Sequence, residues 1–205
     1  MLIQPIVEGW GEMEAVPVLL RRLQEAAGQY GFDVARPIKR ERSEFGVEQS
    51  VRRFVRLALG TPDCGGILIV FDTDDDAACT IGPNVQAWAQ AEAGQIPCQA
   101  VAAKREYEAW FISAIESLRG VRGIAANAVS HPAPETPRNA KGVVQTCMAP
   151  GRFYSQRVDQ AALTARLDLS QAHTRCRSFK KMIKAFGVLA AGTGNPIQNW
   201  PPADW

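Results

Sequence analysis

The stretch GILIVFDTDDDA, residues 66–77, sets the fold. Ile67 to Phe71 are apolar at every position, which is how a strand buried on both faces reads. Its carboxyl end carries Asp72, Asp74, Asp75 and Asp76. Like charges packed this tightly repel unless something positive compensates. A bound Mg²⁺ or Mn²⁺ does so, because hard ions take oxygen ligands. A solvated turn after a strand explains an Asp-x-Asp on its own equally well. An EF-hand does not fit: Ala77 stands where its sharp turn needs glycine, and Pro83 where its bidentate glutamate belongs.

Outward from this strand, the chain alternates. Residues 2–7 (LIQPIV) form a first strand, with Pro5 placing it near an edge or a bulge. From Glu12 to Gln29 the period is helical, with Val16, Leu19, Leu20 and Leu23 on one face and Arg21, Arg22 and Glu25 facing away. Residues 33–39 make a second strand and 47–59 a second amphipathic helix. The strand at 67–71 is followed by a helix over 83–93 with Pro83 at its start, where proline is tolerated. A strand at 98–102 and a helix at 106–118 complete the run, with Trp110, Phe111 and Ile115 turned inward. This alternation predicts an α/β fold, Rossmann-like, with a mainly parallel central sheet flanked by helices and a C-terminal helical extension. Functional groups then gather outside the carboxyl ends of the strands, where Glu8 and Asp72 both sit. Residues 1–118 form the α/β domain. Residues 119–157, rich in Gly, Pro, Asn and Ser, read as a long loop or lid. Residues 158–205 read as two or three helical pieces and a tail that is extended unless Trp200 and Trp205 dock.

The totals narrow the class. The chain has 205 residues, a net charge of +2 and 46% hydrophobic residues, which suits one globular domain with an appendage. Five cysteines, none in a C-x-x-C pair, read as reduced thiols and exclude a zinc knuckle. The N-terminus lacks the pattern of a signal peptide, and no stretch reaches the roughly 20 apolar residues of a membrane span. These features predict a soluble cytoplasmic protein.

A second acidic motif lies in VEGWGEMEAV, residues 7–16. Glu8 ends a buried strand, glycine follows, and Glu12 opens the helix. Glycines let backbone approach a phosphate, and a helix N-terminus favours anions. Glu12 also serves as ordinary helix-start charge. The pairing of strand–Glu-Gly–helix with a strand ending in Asp-x-Asp resembles the TOPRIM superfamily of topoisomerases, primases and OLD-family nucleases. VEGWGE is similar to the E-G-x-[ST]-E form of OLD-like members, with Gly11 in place of the usual Ser or Thr. KREYEAWF at 104–111, Lys141 and CRSFKKMIKAF look like counterparts in a group of bacterial TOPRIM-like proteins encoded beside AAA or ABC-type ATPases.

The resemblance implies that Glu8 lies beside the metal and does acid–base work. It implies that Glu8, Glu12, Asp72, Asp74 and Asp76 hold one or two Mg²⁺ (or Mn²⁺), and that Lys141 assists at the transition state. The implied reaction is metal-assisted hydrolysis of DNA or RNA, with an ATPase partner and a role in antiphage defence. No G-x-x-x-x-G-K-[ST] is present, so energy input belongs to a partner. Glu106 and Glu108 lie about 200° apart on a helix, so at most one faces the site. Arg36, Lys39, Arg40 and Arg42, then Arg52, Arg53 and Arg56, then Lys180, Lys181 and Lys184 are candidate phosphate contacts or plain solvated faces. His131 and His173 are isolated. A non-catalytic module that docks on an ATPase, and a metal-dependent phosphatase, use the same acids.

Overall fold

The computed structural model describes residues 1–192, 194 and 196–205. Strand β1 (Leu2–Val7) leads into helix α1 (Trp10–Ala27). Two short strands, β2 (Asp33–Val34) and β3 (Ile38–Lys39), precede a 3₁₀ turn at Arg42–Glu44 and helix α2 (Glu48–Leu59). Strand β4 (Cys64–Asp72), helix α3 (Ala78–Ala93) and strand β5 (Cys98–Ala103) follow. Helix α4 (Glu108–Ser113) then hands over to a 3₁₀ turn at Ile115–Leu118. Helices α5 (Ala140–Thr146), α6 (Gln156–Thr164), α7 (Leu169–Arg175) and α8 (Arg177–Gly192) complete the chain.

The strands form one sheet in the order β2-β1-β4-β5, with β3 continuing the β2 edge along β1, and every pair is parallel. This is the α/β architecture with a parallel sheet between helices that the alternation predicts. Helices α2 and α3 cover one face, where Phe45, Phe54 and Phe71 pack together. Helices α1, α4 and α8 cover the other, around Trp110, Phe111, Phe179 and Phe186. Each such fully buried side chain contributes about 1.5–3 kcal/mol relative to exposure.

Several expectations are refined or changed once the chain is folded. Strand β1 lies next to the edge of the sheet, as Pro5 suggests, and is paired on both sides. Ile3 and Val7 offer their carbonyls to Ala35 and Arg40 on the β2–β3 side, so Pro5, two residues from each, faces that side too. Its missing N–H falls where β2 and β3 are interrupted. The Gln4 side-chain amide bridges the gap, donating to Pro5 O at 3.0 Å and Arg36 O at 2.9 Å. Helix α3 starts at Ala78, five residues before Pro83, which lies inside the helix and removes one helical donor near its N-terminal end. Arg22 is only half-exposed: it donates to Thr164 O and Leu167 O and satisfies carbonyls at the end of α6.

Residues 119–157 are mostly loop, as expected, but the loop is packed against the core. They hold α5, bury Ile124, Val144 and Met148 in the same core as the sheet, and pair Ile124 with Met148 in an antiparallel bridge. The C-terminal helical extension is present as expected and packs on the core, α8 against β4 and β5 and α6 against α1. Of the two or three helical pieces expected there, the structure has three, α6, α7 and α8. Trp200 docks, donating from Nε1 to Ile183 O at 2.8 Å and lying 5.1 Å from the Phe186 ring. Trp205 packs at a tilt, 5.4 Å from Trp200, whereas Asn195 of the tail lies outside the described residues. All five cysteines are free thiols. Among the described residues no helix is long and apolar enough to cross a membrane.

Candidate functional site

Parallel strands bring their carboxyl ends to one edge of the sheet. Because β1 and β4 are adjacent, Glu8 follows one strand and Asp72 ends its neighbour. Glu8 Oε2 accepts a hydrogen bond from the Asp72 backbone N–H at 3.0 Å. Glu12, two positions into α1 from Trp10, turns back toward the same edge. All three line a cleft of about 590 Å³, together with Lys39, Arg42 and Lys141.

The first turn of α1 needs its glycines. A Cβ on Gly9 would meet Glu12 Oε2 at 2.1 Å, so the glycine is what lets that carboxylate fold over the chain. A Cβ on Gly11 would sit 1.9 Å from Gln160 Oε1 and 2.9 Å from the Gln156 backbone carbonyl. Helix α6 therefore approaches α1 too closely for the Ser or Thr of the OLD-like motif. The same approach supplies Gln160, whose Nε2 donates to Glu12 Oε1 at 2.9 Å.

The acids are buried together. Asp72 is almost fully enclosed and accepts from Tyr107 N at 2.8 Å through Oδ1. Burial raises its pKa well above the usual range, and Glu108, Glu12 and Glu8 raise it further. Glu8 is pushed up to about 7, chiefly by burial, despite the bond from Asp72 N. Glu108 has no exposed surface and is likewise raised to about 7 by burial, although Lys141 and the Tyr154 hydroxyl pull it down. Tyr154 Oη donates to Glu108 Oε1 at 2.8 Å. Burial disfavours the Lys141 ammonium, but Glu108, Asp72 and Glu106 outweigh it and raise its pKa.

Glu106 precedes α4, so the helical argument that separated it from Glu108 does not apply. Its Oε1 lies 3.1 Å from Lys141 Nζ, and its Oε2 accepts from Lys141 N at 3.0 Å. Glu106 thus holds Lys141, while Glu108 belongs to the buried acidic group.

Asp74 and Asp76 take a different place. Strand alternation would put Asp72 and Asp74 on a similar side, but the chain leaves the strand at Thr73. The turn is pinned by Thr73 N to Ala103 O at 3.0 Å and by Asp74 N to Arg105 O at 3.0 Å, with Asp74 at a φ of 48°. Asp74 and Asp76 therefore point outward, where Arg42 bridges them. Arg42 Nε lies 3.2 Å from Asp74 Oδ2 and 3.9 Å from Glu8 Oε2, and its Nη2 donates to Asp76 Oδ2. Asp75 pairs with Arg105 at 2.7 Å. The three aspartates line a second cavity of about 480 Å³, which Glu8 does not border.

The donor set suits a hard dication. Glu12 Oε2 and Glu108 Oε2 are buried carboxylate oxygens with no hydrogen-bond partner, and such groups are costly unless compensated. Among the described residues, however, no three acidic, histidine or cysteine side chains stand grouped as they would around one held ion. The carboxylates share a cleft and an electrostatic field, but they do not close on a common point.

Of the basic sets, Lys39 and Arg42 line the acidic cleft. Arg52 and Arg56 pair with Glu92, and Arg53 with Glu44, as surface ion pairs. Lys181 lines the cavity beyond the turn, whereas Lys180 and Lys184 border the docked tail. His131 closes a turn with Ala133, and His173 lies against Trp205. Sequence reading missed Trp10, Arg42 as a cleft cation, Arg157 and Gln160. Gln160 carries no signal of its own. Trp10 did: a large ring set between two glycines at a helix start has little apolar neighbourhood to enter.

Comparison with curated proteins and with solved structures returns no significant match. A family profile described as Domain of unknown function (DUF4276) matches residues 7–186, from the end of β1 into α8 and across every residue of the acidic cleft. The chain belongs to the DUF4276 family.

Proposed function

We propose that this protein is a metal-dependent phosphodiesterase acting on nucleic acid. The observation that carries the reading is the meeting of Glu8, Glu12 and Asp72 at the carboxyl edge of a parallel sheet, backed by buried Glu108 and faced by Lys141. To hold Mg²⁺ or Mn²⁺, Glu8, Glu12 and Asp72 would have to draw in from their present positions onto a common point, and Asp74 and Asp76 could join only after releasing Arg42. When bound, such an ion polarises a phosphoryl oxygen and lowers the pKa of water. Glu8 would lie beside the attacking water; burial raises its pKa to about 7 in the metal-free cleft, a bound cation would lower it, and the carboxylate so formed could take the water's proton. Lys141, kept charged by three carboxylates and held by Glu106, offers its ammonium to the developing charge on phosphate. The resemblance to OLD-like TOPRIM proteins adds an ATPase partner, a cytoplasmic setting and a defence role to the proposal.

The test is Mn²⁺- or Mg²⁺-dependent cleavage of supercoiled plasmid, single-stranded DNA and RNA by the purified chain, with Asp72→Ala as control. Cleavage that vanishes in the control supports the reading. Turnover of a small phosphate ester without nicking would point instead to a phosphatase.

One observation favours a second reading, a binding module without catalysis. Arg42 already supplies a positive charge to Glu8, Asp74 and Asp76. If Arg42 is their permanent counter-ion, metal titration gives no binding and the acidic edge is a structural ion-pair network.

A further inference from the structure

Two exposed aromatic rings stand along one path out of the acidic cleft. Trp10, the first residue of α1, keeps 59% of its surface exposed at the cleft rim. Two cations attend it, with Lys39 Nζ 5.3 Å and Arg157 Cζ 5.9 Å from the ring centroid. The cleft continues past Ser155 into an adjoining groove of about 580 Å³, which shares Ser155 and is bordered by Arg152, Phe153 and Val158. Phe153 is 81% exposed. Leaving such a ring in water forgoes about 1.5–3 kcal/mol of burial.

Phe153 is not exposed because its backbone is loose. The Gln145 side chain clamps the chain on both sides of it, donating from Nε2 to Arg152 O at 3.0 Å and accepting from Tyr154 N at 2.9 Å. Tyr154 is tied in turn to Glu108. The ring is therefore presented outward from a fixed support that reaches the buried acids. Among the described residues, neither Arg152 nor Arg157 has a carboxylate partner; Arg122, in the same groove, is taken by Asp159 at 2.8 Å.

We infer that this path binds an unpaired nucleic-acid strand, with bases stacking on Trp10 and Phe153 and phosphates contacting Arg152 and Arg157. Stacked bases with interleaved cations are how single strands are gripped without sequence readout. A paired duplex hides its base faces and cannot use the rings. The inference rests on the nucleic-acid reading above and narrows it to unpaired substrates. The free arginines favour a polyanion over an apolar protein surface as the occupant.

The experiment is fluorescence anisotropy of the full chain with fluorescein-labelled oligo-dT, oligo-U and a duplex of equal length. Calcium serves as the dication, and a denaturing gel confirms that the oligonucleotides stay intact. Single strands should bind more tightly than the duplex. Trp10→Ala and Phe153→Ala should each weaken single-strand binding about tenfold and leave duplex binding unchanged, while Trp10→Phe restores most of the affinity. Arg152→Ala and Arg157→Ala should lower the salt dependence of binding. Unaltered thermal unfolding of the variants separates lost contact from lost fold.

Equal affinity for duplex and single strand, or ring variants that bind single strands as the parent does, would overturn the inference. So would no oligonucleotide binding at all, which would leave the rings to a protein partner. Single-strand binding without metal-dependent cleavage would uphold this path and sink the phosphodiesterase. Cleavage indifferent to pairing would do the reverse.

Discussion

Glu8 and Asp72, 64 positions apart, are joined by a hydrogen bond of 3.0 Å from the Asp72 amide to Glu8 Oε2. The bond ties the ends of two neighbouring parallel strands and sets two acids side by side. For the proposed chemistry these two groups are the least replaceable. Asp72→Asn and Glu8→Gln preserve shape and remove charge, so each should lower metal-dependent cleavage by about 10²-fold or more. Initial rates of plasmid nicking, with circular dichroism to confirm the fold, check this.

The buried acids make the metal-free protein sensitive to pH. Glu8 and Glu108 have pKa values raised from 4.5 to about 7. The folded state therefore binds their protons more tightly than the unfolded state does, and stability falls as pH rises through that window. The loss should be complete above it, on the order of 3 kcal/mol for the enclosed Glu108 and less for the partly solvated Glu8. Urea unfolding in EDTA at the two ends of the window should show the fall, and Glu8→Gln or Glu108→Gln should flatten it.

Arg42 competes for the acids that a second ion would need. Arg42→Ala frees Asp74, Asp76 and one side of Glu8 from their present cation. Mn²⁺ titration by calorimetry should show tighter binding or an added site in this variant. If wild type and variant both fail to bind, the ion-pair reading stands.

Gly11 is fixed by packing, not by chemistry. Gly11→Ser restores the residue usual in the OLD-like motif, yet it drives a Cβ against the Gln156 carbonyl and Gln160. The cost should be about 1–3 kcal/mol, read as a lower midpoint in urea. Gln160→Ala would relieve the closer contact but not the backbone one, so it should recover only part of the loss.

Gln145→Ala tests the clamp on Phe153. It removes two hydrogen bonds to the backbone flanking the ring and should cost about 1–3 kcal/mol of stability. Amide hydrogen exchange should rise over residues 151–155 and stay unchanged in the sheet.

Much of the fold was legible because it is written in local pattern. The unbroken apolar run Ile67–Phe71 could only be an interior strand, and the alternation around it could only be covered by helices. That placed Glu8 and Asp72 at strand ends of one polarity. The parallel pairing then brought them to one edge. Pro5 pointed to an irregular place near the edge of the sheet, but the particular feature that excuses it, an interruption between β2 and β3, is one that no reading of residues 2–7 contains. The core contacts of the loop at 119–157 were not legible because its few apolar residues, Ile124, Val144 and Met148, have no period of their own and find their partners only in the assembled core.

The sequence by itself determined the sheet, its polarity and the carboxylates at its edge, since strand and helix periods are properties of adjacent residues. Only the tertiary structure decided which acids face one another. Asp72 turns inward to Tyr107, whereas Asp74 and Asp76 swing out to Arg42, because the chain leaves the strand at Thr73 and alternation ends there. It also decided that α6 lies against Gly11 and that Trp10 stands beside Arg157, from the opposite end of the chain. Those contacts join residues far apart in sequence, and their geometry is set by how layers pack, which no local pattern encodes.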